Sequence, residues 1–147
     1  MIRKKISSVL ALIGCLTAAA AIVLEALPDS AVLVFGTESG SVREEYSYFD
    51  TLPFGYADVW PLLTAILTCA AAAVSLAAVF CRVKGFVYLW VYLAGAAVFA
   101  SFLAICSPVS HFTAVGLAIF LVSAAGFAAA VTSLYILFQN NSAEADG

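Results

Sequence analysis

The sequence has little charge. Only 10% of its 147 residues are Asp, Glu, Lys or Arg, whereas 65% are hydrophobic. A water-soluble globular domain carries about 25% charged and about 45–50% apolar residues, so this chain lacks the polar side chains that would cover a core in water. Its net charge of -3 also lacks the basic excess that nucleic-acid binding requires. We therefore expect a membrane protein whose main partner is the lipid bilayer, and no nucleic-acid partner.

Residues typical of catalytic and metal sites are also scarce. The single histidine, His111, cannot form a zinc site without clustered Cys or carboxylate ligands. The four cysteines lie far apart in the sequence, without a CxxC motif or a neighbouring histidine, so no redox pair is predicted. We expect no enzyme, no catalytic or metal site and no cofactor. These cysteines are Cys15, Cys69, Cys81 and Cys106.

Long intervals without a charged residue predict four membrane spans. About 20 apolar residues cross roughly 30 Å of hydrocarbon. Three charge-free intervals run from Ile6 to Leu24, Val59 to Cys81 and Gly85 to Ala143, and Pro108 and His111 predict a turn that divides the last. The predicted fold is an all-α membrane protein, one domain over residues 1–147 with four transmembrane helices in a tight bundle. The predicted segments are helices over 6–27, 59–81, 86–106 and 113–138, an outer loop over 28–58 and a cytoplasmic tail over 139–147.

The distribution of basic residues predicts the orientation. Five of the six Lys and Arg residues flank one side of the predicted spans, and only Arg43 falls on the other side. Because short loops rich in Lys and Arg stay in the cytoplasm, both termini are expected there, with the chain in the cell membrane. Tyr88, Trp90 and Tyr92 are then expected at the inner membrane interface, where aromatic side chains are enriched.

Small and hydroxyl-bearing residues dominate the predicted helices. Small residues at four-residue spacing let helix backbones approach closely, which predicts tight packing. The hydroxyl groups are expected to bond to the preceding turn of their own helix rather than line a path. The small residues are Ala96, Ala100 and Ala104 in the third helix and Ala114, Ala118, Gly126 and Ala130 in the fourth; the hydroxyl residues are Thr17, Thr64, Thr68, Ser75, Ser101, Ser123 and Thr132.

The outer loop is predicted to contain a small β-hairpin. Ala31–Phe35 is rich in β-branched and aromatic residues, Gly36–Ser41 is typical of a turn, and Val42–Phe49 returns with alternating polar and aromatic residues. An extended loop is the alternative interpretation. No cysteine lies in this loop.

Aromatic and acidic residues concentrate at the end of this loop. Rigid aromatic rings with charged neighbours are typical of binding surfaces, so we consider them a candidate partner surface. The alternative is that the rings pack on the helix ends and the membrane interface. The candidate residues are Tyr46, Tyr48, Phe49, Phe54, Tyr56 and Trp60.

Glu25 is the only acidic residue within a predicted span, which makes it a candidate transport residue. It lies 19 residues after Ile6, or about 28 Å along a helix, so we expect a hydrated carboxylate near the outer interface. The small multidrug transporters are similar in size and helix number, but they carry a Glu in the middle of the first helix. This chain differs from that pattern in the depth of the Glu and in its long first loop.

The segment Tyr46–Thr68, about a sixth of the chain, resembles a segment of small uncharacterised bacterial four-helix membrane proteins. This resemblance implies a bacterial cytoplasmic membrane and implies no activity. Claudin-like proteins share the expected plan of cytoplasmic termini and a strand-bearing first loop, but their Trp, Gly-Leu-Trp and paired-Cys signature is missing.

The sequence therefore favours a non-enzymatic structural or interaction protein that uses its acidic, aromatic outer loop to contact a protein partner or a second copy. The alternative is a subunit of an oligomeric transporter or channel for ions or small solutes, with Glu25 on its path.

Overall fold

The computed structural model describes residues 2–37, 40–50, 58–81, 83–106 and 112–145. Four helices of this part are long and apolar enough to cross a membrane, and an antiparallel hairpin joins the first two, as the sequence predicts. The elements in chain order are α1 (Ile2–Glu25), β1 (Ala31–Thr37), β2 (Gly40–Tyr46), α2 (Trp60–Phe80), α3 (Lys84–Cys106) and α4 (Ala114–Ala145).

The C-terminal ends of α1 and α4 differ from the predicted bounds. α1 ends at Glu25, two residues before the predicted end at residue 27, because the Glu25 carbonyl accepts hydrogen bonds from outside the helix. Pro28 follows closely, where it cannot continue the helix. α2 begins at Trp60 with Pro61 in its first turn, as predicted. α4 continues to Ala145 and so includes most of the segment predicted as a tail.

The four helices form a bundle in which α1 and α3 each pack against both α2 and α4. Small residues make these contacts, but the prediction that small residues at four-residue spacing form the packed faces is only partly correct. Ala100, Ala104 and Ala130 are buried, whereas Ala96 and Ala114 are exposed. Successive helical residues turn by about 100°, so a strict four-residue repeat drifts off the buried face.

Trp90 does not lie at an interface as expected, since only 1% of its surface is exposed. Its ring occupies the space that Gly14 leaves open on α1, where an added Cβ would lie 1.9 Å from Trp90 Cζ2. The sequence pattern could not show that a glycine on another helix accommodates this ring. Trp90, Gly14 and the surrounding alanines fill the middle of the bundle.

Large apolar side chains cover the outside of the bundle. Their exposed fractions are high along all four helices, while alanine, serine and threonine side chains fill much of the interior. This arrangement is the reverse of a water-soluble bundle and is typical of helices that pack in lipid. Examples of the exposed residues are Leu16, Val23, Ile66, Phe99 and Leu121.

The hairpin confirms the predicted strands and excludes the extended-loop alternative for the described residues. β1 and β2 pair in a register that runs from Ala31 opposite Tyr46 to Thr37 opposite Gly40. β2 ends at Tyr46, so only part of the predicted second strand, Val42–Phe49, is paired. Gly40 has a φ of 137°, which only glycine adopts without strain.

The base of the hairpin is seated in one end of the bundle, which we call the hairpin end. Ser30, Ala31 and Val32 are buried there and line a small pocket with Pro61 of α2 and Gly116 of α4. The hairpin base thus lies beside the first turns of α2 and α4. It occupies the space beyond the early end of α1.

Candidate functional site at the hairpin end

Glu25 is buried, with 0% of its surface exposed, so the expectation of a hydrated carboxylate is wrong. Its Oε1 lies 2.8 Å from Thr68 Oγ1. Thr68 is eight residues into α2, about 12 Å along the helix axis from Trp60. The number of residues along α1 gives the position of the Glu25 backbone and not that of its side chain. Side chains of a helix point toward its N-terminus, and this direction carries the carboxylate down into the bundle.

The Glu25 carboxylate has few hydrogen-bond partners. Thr68 Oγ1 also lies 2.9 Å from the carbonyl oxygen of Thr64, and a hydroxyl has only one hydrogen to donate. Glu25 Oε2 has no hydrogen-bond partner among the described residues. Any charge on this carboxylate would therefore be poorly compensated.

Asp58 is a second buried acid at this end, 2% exposed, just before α2. Its Oδ1 accepts a hydrogen bond from the Trp60 backbone N–H at 3.2 Å, which satisfies one of the free donors at the start of the helix. Its Oδ2 has no partner within the described part of the chain. Asp58 belongs to the acidic end of the predicted outer loop, and nothing in the sequence indicates its burial.

Tyr48 connects the hairpin to the end of α1. Its backbone N–H donates to the carbonyl of Glu25 at 2.9 Å, and its ring is buried. Burial raises the pKa of the Tyr48 hydroxyl, and the negative charges of Glu25 and Asp58 raise it further. Both carboxylates therefore act on the same ring. Tyr48 was a candidate for a partner surface, and its burial excludes that position.

The other candidate rings divide between packing and exposure. Tyr46 and Trp60 are half-buried against the apolar cluster at the hairpin end, and the Tyr46 hydroxyl donates to Glu44. Phe49 is 42% exposed. Phe54 and Tyr56 lie outside the described residues. Most of the described rings thus pack on the helix ends, and Phe49 remains on the surface.

Two residues that sequence reasoning missed join the hairpin base to the helices. Ser30 Oγ donates toward the carbonyls of Glu25 at 3.1 Å and Tyr46 at 3.4 Å. Thr113 Oγ1 donates to the Ser30 carbonyl at 3.1 Å and accepts from the Gly116 N–H at 2.8 Å. A threonine just before a helix is a recognisable capping signal, but nothing in the sequence indicates that it also binds the hairpin.

The helical hydroxyl groups behave as predicted, with one exception. Six of the seven donate to a carbonyl three or four residues earlier in their own helix. Ser123 Oγ is buried and has no partner among the described groups. Because the six are already satisfied, they add little polarity to the interior.

Toward the other end of the bundle the interior contains an apolar cluster around Trp90, beside the buried hydroxyls of Ser75 and Ser133. Ala71, Trp90, Ala94 and Ala130 are buried together on the side away from the hairpin. At the hairpin end, the pocket beside Ser30 has a volume of about 10 Å³, enough for about one water molecule. The described residues therefore offer room for about one water molecule or a small ion near Tyr48.

The described cysteines and acids show no metal-binding group of three or more ligands. Cys15 is half-buried, and Cys69, Cys81 and Cys106 are exposed as free thiols. His111 lies outside the described residues.

These features define a class: a helical protein with four helices long and apolar enough to cross a membrane and a hairpin folded onto one end of the bundle. In comparisons with known proteins, no family model, no curated protein and no solved structure matched the chain.

Proposed function

We propose that this chain is a multi-pass protein of a bacterial cell membrane, with both termini in the cytoplasm and the hairpin outside. The apolar exterior and small-residue interior of the bundle support membrane insertion. The excess of Lys and Arg at the end opposite the hairpin supports the orientation.

In this position, the protein acts as a non-enzymatic interaction protein whose hairpin contacts a protein partner outside the membrane. The observation that carries this proposal is the exposure of β2. Every residue from Gly40 to Glu45 is exposed, and the strand pairs with β1 along one edge. The base of β1 is meanwhile buried and hydrogen-bonded to the helices through Ser30. A strand that is held from one side and is the outer member of the two-stranded sheet of the described residues is suited to strand addition or side-chain recognition.

Site-specific photo-crosslinking in native membranes tests this proposal. A photoreactive residue at Glu45, on the exposed strand, should form an adduct with a discrete protein. The matched control is the same residue at Ile66, which is exposed on the side of α2 and should give no such adduct. An adduct with a second copy would identify a homo-oligomer, and the absence of any protein adduct at Glu45 would contradict an interaction role.

A transporter or channel subunit is the second candidate, because the burial of Glu25 is typical of functional carboxylates in membrane proteins. The apolar interior around Trp90 argues against conduction through one bundle, so this function would require an oligomer. Liposome flux of protons and small cations distinguishes the two candidates. Flux that Glu25→Gln abolishes in a folded protein would favour the transporter.

A further inference from the structure

We propose that Glu25 binds one monovalent cation, a proton or Na⁺, and that this occupancy stabilises the hairpin in its seat on the bundle. The proposal concerns the interior of the hairpin end and is independent of any partner on β2.

The burial of Glu25 requires a compensating positive charge. A bare carboxylate taken out of water costs several kcal/mol unless it is paired and fully hydrogen-bonded. The described residues give Glu25 one hydroxyl neighbour, Thr68, and leave Oε2 without a partner. Arg43, the basic residue of the hairpin, is exposed on β2.

The position of Glu25 at the end of α1 strengthens this requirement. The C-terminal end of a helix carries a partial negative charge, which opposes an anion and favours a cation. The Glu25 carbonyl is already engaged by the Tyr48 N–H and the Ser30 hydroxyl. These two donors offset part of the charge of the helix end, and the helix end supplies no positive charge to the Glu25 side chain.

A second, independent observation is that Asp58 also keeps one oxygen buried without a described partner. Among the described residues, the titratable groups around Glu25 are Tyr48 from the hairpin segment, Asp58 before α2 and the neighbouring thiol of Cys69 on α2. At this end α3 contributes the exposed Cys106, and the described part of α4 contributes no titratable group. None of these groups supplies a positive charge.

The donor set favours a monovalent cation over a divalent one. Ca²⁺ takes six to eight oxygen ligands, several of them carboxylates. Glu25 and Asp58 are the two buried acids at this end, and no group of three potential metal ligands is present among the described residues.

The hydrogen-bond geometry accommodates a proton directly. With a proton on Oε1, Glu25 donates to Thr68 Oγ1 at 2.8 Å, and Thr68 donates its own hydrogen to the Thr64 carbonyl at 2.9 Å. Each hydroxyl hydrogen then has one acceptor. A sodium ion would instead use the free Oε2.

Thermal unfolding of the full chain in detergent tests the proposal. Tm is measured from pH 5 to 9 in sodium chloride and in choline chloride. We expect the Tm in choline to fall by about 5 °C or more as the pH rises. Recovery in sodium at high pH identifies Na⁺ as the cation, and equal loss in both salts identifies the proton.

Variants assign the effect to Glu25. Glu25→Gln, a neutral isostere, should remove the pH and sodium dependence and be at least as stable as the wild type. If it does not fold, Glu25→Met provides a neutral side chain of similar length. Glu45→Gln, at an exposed acid, is the matched control and should keep the dependence. A wild-type Tm that does not change with pH or sodium would overturn the proposal. So would a dependence that survives the loss of Glu25, or one that Asp58→Asn removes and Glu25→Gln does not.

Discussion

At the scale of single residues, the backbone N–H of Tyr48 takes the place of the N–H that a further turn of α1 would have donated to the Glu25 carbonyl. Its backbone N–H satisfies the Glu25 carbonyl at the helix end, and its ring fills the space beside the hairpin base. A residue outside the helices thus caps the end of α1, although it lies 23 residues further along the sequence. This contact explains why the ring is buried although its sequence neighbours Ser47 and Phe49 are more accessible.

The hydroxyl of Tyr48 should make the fold sensitive to strong alkali. Its raised pKa keeps it neutral in the folded state, while in the unfolded chain it ionises near the ordinary value of 10.0. The contribution of Tyr48 to the free energy of unfolding is therefore constant below pH 10. Above pH 10 it falls by about 1.4 kcal/mol per pH unit. Chemical denaturation between pH 9 and 11.5 should show a smaller loss in Tyr48→Phe, while Tyr92→Phe, at an exposed ring, should behave as the wild type.

At the scale of elements, three glycines of the bundle each face a larger side chain of another helix. Besides Gly14 and Trp90, an added Cβ at Gly126 would lie 2.8 Å from Thr17 Oγ1, and one at Gly95 would lie 3.1 Å from Phe127. These three contacts join α1, α3 and α4.

Gly14→Ala should therefore disrupt the bundle. The added methyl group would overlap a ring that has no room to move, and overpacking of this kind costs about 1–3 kcal/mol or more. Gly85→Ala is the matched control, since its nearest neighbour would be 3.9 Å away, and it should be neutral. Tm in detergent measures both, and equal Tm values would contradict the packing of Trp90 against Gly14.

The hairpin depends on one backbone conformation. Gly40→Ala should destabilise the hairpin by about 1 kcal/mol or more, because a side chain at a φ of 137° is strained even in open space. Gly36→Ala, also in open space on β1 but without a positive φ, should have little effect. Amide hydrogen exchange of residues 31–46 would report the difference. Equal protection in the two variants would show that Gly40 does not hold the turn.

At the scale of the whole molecule, charge spacing and one turn signal were sufficient to predict four apolar helices, and β-branched and turn residues predicted the hairpin, since these signals are local in the sequence. The interior of the hairpin end was not predictable in the same way. The burial of Glu25 depends on where α1 stops relative to α2, and the burial of Trp90 depends on a glycine 76 residues away. Such positions follow from the packing of distant segments, which periodicity does not record.

Two native cysteines can report the proposed orientation. Cys106 ends α3 at the hairpin end, and Cys81 follows α2 at the opposite end; both thiols are exposed. In variants that keep one of them, a membrane-impermeant maleimide should label Cys106 on intact cells and Cys81 only after permeabilisation. A Cys at Ser39 should match Cys106, and one at Ser142 should match Cys81. Labelling of both ends from one side would contradict four crossings.

The bond between Thr113 and Ser30 joins residues 83 positions apart, and this separation has a consequence during synthesis. A ribosome adds about 5–20 residues per second, so Thr113 is made roughly 4 to 17 seconds after Ser30. Throughout that interval the base of the hairpin lacks the helix that covers it. The hairpin is therefore made early but is among the last parts of the molecule to reach its final position.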